Sequence, residues 1–274
     1  MIPRDFIIAW QEHAPWPNEE QVEQDLLICR ALVELFSREE IANSLAFRGG
    51  TALYKLFMTP APRYSEDIDL VQMNGEPIGP VLTCIREALD PLFGEPKRKF
   101  GAGRATITYR YETESINPTK MRLKIEINTR EHFSVRGFIK QPFQLNSPWY
   151  QGKVLVSTYH LEELMGTKLR ALFQRNKGRD LFDLWYALQH AELSPKDVVE
   201  IFHHYIEWQG LQITRAQFEK NLDEKMQDPK FLDDIHPLLS DRHRELWKES
   251  EAGELVKSQI FPHLQGEVWK GAKA

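Results

Sequence analysis

The chain has 274 residues, enough to bury one large hydrophobic core or two ordinary ones without disulfides or structural metals. Apolar residues make up 42% and charged residues 27%, values near the average of folded domains, so disordered, collagen-like and low-complexity classes are excluded. The formal net charge of −5, taken alone, argues against a protein that coats nucleic acid through a uniformly basic surface.

The cysteine content and the hydropathy pattern bear on the compartment. Cys29 and Cys84 are too few for a disulfide framework, and we predict two buried thiols in a reducing environment. The first ten residues lack a long apolar segment and include Asp5, and nowhere do about 18 uninterrupted apolar residues occur. We therefore predict no signal peptide, no membrane partner and a cytoplasmic location.

The first quarter of the chain alternates between helical and extended patterns. Asn18 precedes three polar residues and then apolar residues at steps of three and four, which predicts an N-capped amphipathic helix reaching Phe36. Residues 44–48 predict a short strand that stops at a glycine pair, and residues 51–58 resume helical spacing. The alternation over 67–71 predicts a second strand, and a helix follows over about 78–89.

Two longer alternating stretches come next, at 105–112 and 120–129, and they predict half-buried antiparallel strands. Shorter strands are predicted at 137–141 and 153–157. From about residue 160 the periodicity is helical, with helices predicted at the ranges 161–175, 179–190, 194 onward, 214–226 and 242–249. These patterns predict an α+β fold in two parts, an α/β domain over 1–158 and an α-helical domain over 159–274.

Asp67 and Asp69 are the first candidate catalytic residues. Positions i and i+2 of a strand point to the same face, about 6.6 Å apart. Carboxylates in that arrangement can hold divalent cations, and two Mg²⁺ ions are the usual clamp for an in-line phosphoryl displacement. A chain with 40 acidic residues contains several such pairs by chance, but Ile68 and Leu70 place this pair on a packed strand rather than a surface loop.

Gly49, Gly50 and Thr51 lie at the predicted strand-to-helix turn. A backbone without side chains can approach a ligand closely, and the free N–H groups of a helix N-terminus can bind phosphate. A simple tight turn is the alternative interpretation.

Several stretches together resemble one family. Residues 47–53, FRGGTAL, and 63–70, RYSEDIDL, resemble the signature of AbiEii/AbiGii-type nucleotidyltransferase toxins, in the DNA polymerase β-like nucleotidyltransferase superfamily. Residues 124–127, KIEI, are similar to the third motif of that family, and 168–172, KLRAL, with 178–184, GRDLFDL, to the fourth. The resemblance implies a nucleotidyltransferase-like mixed sheet with flanking helices, and a C-terminal helical domain that completes the active-site cleft.

The resemblance also implies roles for individual residues. It assigns two Mg²⁺ ions to three carboxylates, Asp67, Asp69 and Glu126. It assigns nucleotide binding to six residues, Gly49, Gly50, Thr51, Ser65, Lys168 and Arg179. Lys168 would neutralise the triphosphate, and Asp180 or Asp183 would reach the site and orient Lys168 or the nucleotide.

The same residue types have ordinary structural explanations. Glu126 shares a polar strand face with Lys124, and either a cross-strand ion pair or a metal-binding or proton-accepting role fits that position. Lys168 alone predicts a solvated helix lysine. Acidic residues such as Asp180 complement a helix dipole without any further function.

The function implied by the resemblance is a Mg²⁺-dependent nucleotidyltransferase toxin of a toxin–antitoxin or abortive-infection system. It would transfer NMP from NTP to an RNA acceptor, with the 3′ end of a tRNA as the leading candidate, and would have a cognate antitoxin protein. Two alternatives stay open. One changes the acceptor to a protein hydroxyl or a small molecule, and the other is an inactive nucleotide-binding protein of the same fold.

The charge is unevenly distributed along the chain. Residues 1–95 hold 7 basic and 16 acidic residues, 96–179 hold 17 and 6, and 180–274 hold 11 and 18. The basic middle includes the cluster Lys97-Arg98-Lys99 and extends to the fourth motif. It could bind a triphosphate and an RNA backbone, or it could pair with the acidic segments on either side.

Overall fold

A computed structural model describes residues 2–114 and 118–271 of the chain. The chain divides between Tyr159 and His160 into two compact units. The first contains all seven described strands and the second is helical, which confirms the predicted α+β class with a mixed sheet and flanking helices. Among the described residues, no helix has the length and apolar composition needed to cross a membrane.

The first unit is built around one mixed sheet. Its strands are β1 (Leu45–Arg48), β2 (Asp67–Gln72), β3 (Lys97–Gly101), β4 (Arg104–Glu112), β5 (Lys120–Asn128), β6 (Phe138–Asn146) and β7 (Gln151–Tyr159). They lie in the order β3-β4-β5-β2-β1-β7-β6. The β2–β5 and β1–β7 pairs are parallel and the others are antiparallel, including the predicted β4–β5 pair. β2 and β1 therefore occupy the middle of the sheet.

Five helices accompany this sheet. They are α1 (Arg4–Trp10), α2 (Glu19–Phe36), α3 (Glu39–Ser44), α4 (Gly49–Leu56) and α5 (Gly79–Phe93). The buried tyrosines of β4 identify the face that the longer helices cover, because Tyr109 donates to Asp90 on α5 and Tyr111 donates to Gln24 on α2. The alternate residues of β4, such as Thr106 and Arg110, therefore point to the opposite, polar face of the sheet.

The second unit is helical throughout its described part. Its helices are α6 (Leu161–Gln174), α7 (Gly178–His190), α8 (Pro195–Trp208), α9 (Arg215–Lys225), α10 (Pro229–Asp233), α11 (Asp241–Leu246) and α12 (Glu249–Gln259), with 3-10 turns at His236–Leu238 and Phe261–His263. Ser194 caps α8, because its hydroxyl oxygen accepts from the Asp197 amide, and Thr214 forms a capping box with Gln217 at α9. The largest fully buried side chains of this unit are phenylalanines and a tyrosine, at positions 182, 202, 205, 218, 231 and 261.

Three local predictions need correction. β3 was not predicted, because all five of its residues are exposed and no burial alternation marks it as a strand. β6 continues through Pro142 to Asn146, which is tolerated because β6 is an edge strand with one unpaired side. The helix predicted at 242–249 is two helices, since α11 ends at Leu246 and α12 begins at Glu249.

Candidate active site

The register of β2 and β5 gathers the candidate carboxylates on one face of the sheet. In this parallel pair Asp67 lies beside Lys124 and Asp69 beside Glu126. Neighbouring strands are about 4.8 Å apart, and laterally paired residues share a face. The Cα register therefore places four charged side chains in a two-by-two cluster, on the polar side of the sheet.

Glu126 is held by two cations. Its Oε1 accepts from Arg104 Nη1 at 2.8 Å, and its Oε2 lies 2.9 Å from Lys124 Nζ. Burial works against ionisation, but these two hydrogen bonds hold the pKa of Glu126 below its ordinary value. Lys124 Nζ also lies 3.3 Å from Asp67 Oδ2, so the cross-strand ion pair considered for Glu126 exists and extends to Asp67.

Asp69 is in a different electrostatic position. Among the described residues its carboxylate has no ion pair or side-chain hydrogen bond. Burial, followed by the negative charges of Asp67 and Glu126, raises its pKa, and Arg48 and Lys124 oppose that shift only in part. Asp69 is half-buried beside a second carboxylate, and the nearby cations compensate its negative charge only in part. An added cation would therefore stabilise its ionised form.

Asp67 and Asp69 fit a divalent cation in chemistry, because their hard carboxylate oxygens belong to one sheet face and Asp69 has no cation partner among the described residues. Within the described residues, no group of three His, Cys, Asp or Glu side chains is placed to hold a metal ion. The other ligands of such an ion would come from water and from the phosphates of a nucleotide, as in other phosphoryl-transfer sites.

The glycine pair lies directly beside this cluster. β1 ends at Arg48, which is opposite Asp69, and α4 begins at Gly49. Gly49 has φ of 80°, and a Cβ there would lie 2.5 Å from Asp69 Oδ2. A Cβ at Gly50 would lie 2.5 Å from Arg63 Nη2. The two glycines therefore do more than form a turn. Their lack of side chains lets Asp69 and Arg63 lie close to the backbone.

Hydroxyl groups connect the start of α4 to the start of β2. Thr51 Oγ1 donates to the carbonyl oxygen of Asp67 at 2.6 Å. Since that bond uses the only hydroxyl proton of Thr51, Ser65 Oγ is the donor in the 2.8 Å contact between the two hydroxyls. Thr51 and Ser65 thus fix the glycine turn against the carboxylate-bearing strand.

Two arginines near the turn were not singled out from the sequence. Arg48 Nη1 donates to Glu131 Oε2 at 2.9 Å. Arg63 is 3% exposed, lies 5.0 Å from the centre of the Tyr54 ring and donates to the Tyr64 carbonyl. Both are within the FRGGTAL and RYSEDIDL stretches, and that proximity to the glycines and aspartates was the available signal.

The second unit contains its own charged cluster around Lys168. Lys168 Nζ lies 3.1 Å from Asp180 Oδ1 and 2.9 Å from Asp183 Oδ2, and both aspartates are fully buried. Arg175 donates to both oxygens of Asp180 at 2.6 Å. Burial opposes the charge on Asp180, but Lys168 and Arg175 lower its pKa below the ordinary value. The solvated lysine considered for Lys168 is excluded, since its side chain is 9% exposed and contacts both aspartates.

Arg179, the remaining predicted nucleotide ligand, lies near one carboxylate in the second unit. Its backbone N–H donates to Asp234 Oδ2 at 3.4 Å, and its Nε lies 3.9 Å from the same oxygen. Its side chain is 35% exposed, and among the described residues this long contact is the one ion pair of its guanidinium, so the group stays accessible to an anion.

Comparisons with known proteins also indicate a nucleotidyltransferase. Residues 30–252 match the family model described as nucleotidyl transferase AbiEii toxin, type IV TA system. MenT4, a nucleotidyltransferase toxin from Mycobacterium tuberculosis, has a similar structure, with a TM-score of 0.62 at 15% identity over 97% of this chain and 100% of that chain. A protein from H. pylori assigned as a nucleotidyltransferase gives a TM-score of 0.56 at 18% identity, over 91% and 100%. No curated protein sequence matches the chain significantly.

Proposed function

We propose a specific reaction for this chain, which belongs to the AbiEii family of nucleotidyltransferase toxins from type IV toxin–antitoxin systems. The protein transfers NMP from an NTP to a hydroxyl group of an RNA and releases pyrophosphate. The observation that carries the proposal is the placement of Asp67 and Asp69 on one face of a central strand, with Gly49 of the glycine turn against Asp69.

The carboxylates and the turn have complementary roles in this proposal. Asp67 and Asp69 hold Mg²⁺, which when bound supplies Lewis-acid stabilisation of the charge on the reacting phosphates. The first turn of α4, from Gly49 to Thr51, offers the triphosphate the backbone N–H groups that have no intrahelical partner at a helix N-terminus. Glu126 adds a third negative charge. Both carboxylate oxygens of Glu126 already accept hydrogen bonds from cations. Glu126 therefore fits the role of a charged metal ligand better than that of a general base.

The second unit contributes charge neutralisation in the same proposal. Lys168 binds the triphosphate, and Asp180 and Asp183 hold its ammonium group in one orientation. Arg179 adds a second cation to the nucleotide. A purely structural ion cluster is the competing explanation for Lys168, and a stability measurement given in the Discussion separates the two.

RNA is the proposed acceptor, with the 3′ end of a tRNA as the first candidate. The excess of 17 basic over 6 acidic residues across positions 96–179 supports a polyanionic partner. The proposal includes a cognate antitoxin, a role in abortive infection and, because NTP and tRNA are cytoplasmic substrates, action in the cytoplasm.

The test is a transfer assay with the full chain, Mg²⁺, total tRNA and each of the four α-labelled NTPs. We expect label to migrate with RNA for at least one NTP and to disappear with Asp67→Ala or with EDTA. Label on protein or on a small molecule would assign a different acceptor. Nucleotide binding without pyrophosphate release, equal for wild type and Asp67→Ala, would contradict catalysis altogether.

A further inference from the structure

Exposed basic side chains cluster on the polar face of the sheet, on the β3, β4 and β5 strands beside the carboxylates. We define the basic sheet face as Lys97 and Lys99 of β3, Arg110 of β4, and Lys120 and Arg122 of β5. The strand registers place Lys97 and Lys99 in two rows that end at the aspartates, while Arg110 lies opposite Arg122 beside these rows and Lys120 lies opposite Glu112. One row is Lys99, Thr106, Glu126, Asp69, and the other is Lys97, Thr108, Lys124, Asp67.

Among the register partners of these five residues one is acidic, Glu112 opposite Lys120, so the face keeps an excess of positive charge. All five basic residues are exposed, and none of them has an ion pair among the described residues. Arg110 and Arg122 are directly opposite each other in the β4–β5 register. Like charges in that position destabilise a sheet, so the face carries a cost that a bound polyanion would relieve.

The dimensions of the face match a polynucleotide better than a small acceptor. Three strand spacings separate β3 from β2, which is about 14 Å. A nucleic acid strand presents about one phosphate per 3.4 Å of helix axis, and hence about four phosphates over that distance. An acceptor the size of a single nucleotide bound at Asp67 and Asp69 would not reach Lys97 or Lys99.

We propose that the basic sheet face binds the phosphate backbone of the acceptor RNA and directs its reactive end toward Asp67 and Asp69. The inference rests on the proposed nucleotidyl transfer and specifies where the polynucleotide lies. Lys97 and Lys99 hold phosphates furthest from the reaction, and Arg110 and Arg122 hold phosphates on the adjoining strands. Arg104 and Lys124 are already engaged by Glu126 and are left out of the surface.

Two matched double variants test this assignment. Lys97→Gln/Lys99→Gln removes two charges from the edge hairpin on one side of the sheet. Lys140→Gln/Lys153→Gln removes two exposed lysines from the β6–β7 hairpin at the other edge, and neither of these has an ion pair among the described residues. A third variant, Arg110→Gln/Arg122→Gln, removes the opposed arginines and, by relieving their repulsion, should leave the thermal midpoint unchanged or raise it.

Binding is measured by fluorescence anisotropy of a fluorescein-labelled tRNA mixture without NTP, between 50 and 300 mM salt. For each face variant we expect about tenfold weaker binding at 100 mM salt and a log–log salt slope that is shallower by about 1.4 to 1.8. The Lys140/Lys153 variant should bind within about twofold of wild type with an unchanged slope. In the transfer assay, the KM for NTP should stay constant while the KM for tRNA rises.

Three results would overturn the inference. The first is wild-type affinity in both face variants, and the second is an equal loss in the Lys140/Lys153 control. The third is complete displacement of the RNA by polyglutamate at equal charge concentration, which would assign the face to an acidic polypeptide. If wild type binds tRNA through this face but transfers no nucleotide to it, the proposed function fails and the binding surface stands.

Discussion

Gly49 directly follows β1, and a side chain at this position would point at the Asp69 carboxylate. A Cβ there would lie 2.5 Å from Asp69 Oδ2, so Gly49→Ala must displace that carboxylate. It also incurs the cost of a positive φ, about 1–2 kcal/mol for a residue with a Cβ. We expect at least a 100-fold loss of nucleotidyl transfer, on the order of the loss caused by removing a charge-stabilising group, measured under saturating NTP and tRNA.

Gly137 provides the control for the backbone cost. It has φ of 81°, and a Cβ there would meet nothing within 4 Å. Gly137→Ala should therefore lose a similar amount of stability while keeping near wild-type transfer. Equal activity in the two alanine variants would show that the contact with Asp69 is unimportant.

Glu23 on α2 gives a prediction about pH. It is almost fully buried, its Oε2 accepts from the Glu114 amide, and its Oε1 has no partner among the described residues. Burial, reinforced by Glu19 and Glu20, raises its pKa to about 7. The folded chain thus favours the neutral carboxyl, and its contribution to stability is lost as pH rises from about 4.5 to 7.

Glu23→Gln keeps the shape and removes this titration. The free energy of unfolding of the variant relative to wild type should increase by about 2 kcal/mol between pH 5 and pH 8. Urea denaturation at the two pH values measures it. A difference that stays constant with pH would mean that Glu23 is ionised as readily in the folded chain as in the unfolded one.

At the level of elements, α4 is held in place by a buried ion pair behind the glycine turn. Lys55 of α4 donates to Asp25 of α2 at 2.6 Å, and Asp25 also accepts from the indole groups of Trp10 and Trp16. Burial alone would lower the pKa of Lys55, but the charge of Asp25 raises it above its ordinary value. The orientation of the glycine turn therefore depends on this contact between helices.

Lys55→Met removes the cation and leaves Asp25 buried without its ion-pair partner. We expect a loss of about 3–5 kcal/mol in the free energy of unfolding, measured by urea denaturation at pH 7. The exposed pair Lys248–Glu251 is the comparison, and Lys248→Met should cost far less through that contact. Similar costs in the two variants would contradict the structural importance of the Asp25–Lys55 pair.

Lys168 lies in the contact between α6 and α7, and a substitution there separates a structural role of Lys168 from a nucleotide-binding role. Lys168→Met leaves Asp180 and Asp183 buried with one fewer cation, so a loss of several kcal/mol in stability is expected on either account. Under the proposed function the folded fraction also shows a KM for NTP raised about tenfold or more. An unchanged KM in folded protein would assign the cluster to stability alone.

The elements that the sequence predicted are those whose packing leaves a periodic pattern. β4 and β5 each alternate between a covered and a polar face, and α2 repeats apolar residues every three to four positions. β3 has no such signal because all five of its residues are exposed and it joins the sheet through its hydrogen-bond ladder with β4, which hydropathy periodicity does not reveal. The full length of β6 was hidden by Pro142, which is compatible with a strand only at a sheet edge.

At the scale of the whole molecule, the same distinction applies to the candidate site. The sequence pointed to Asp67, Asp69 and the glycine turn, because these are close in sequence and their spacing has a direct geometric meaning. It could not predict that Lys124 links Asp67 to Glu126, or that Arg63 lies against Gly50, since those contacts depend on strand register and side-chain packing.

The net charge of −5 conceals an uneven distribution of charge over the molecule. The sheet face that leads to the aspartates is basic, and the acidic residues that balance the total lie mainly in 1–95 and 180–274. A polyanionic substrate responds to the local surface within a Debye length, about 8 Å at physiological ionic strength, and not to the total charge. The acidic total is therefore compatible with an RNA acceptor.

The central claim is that Asp67 and Asp69 act together on one Mg²⁺-bound nucleotide. It is tested most directly by the rate of α-labelled NMP transfer to tRNA in Asp67→Asn, Asp69→Asn and the double variant, at fixed Mg²⁺. We predict that each single variant loses about 10³-fold or more and that the double variant loses little beyond that, because residues acting as a unit are not additive. A single variant that keeps a tenth of the wild-type rate, or losses that multiply in the double variant, would contradict the account.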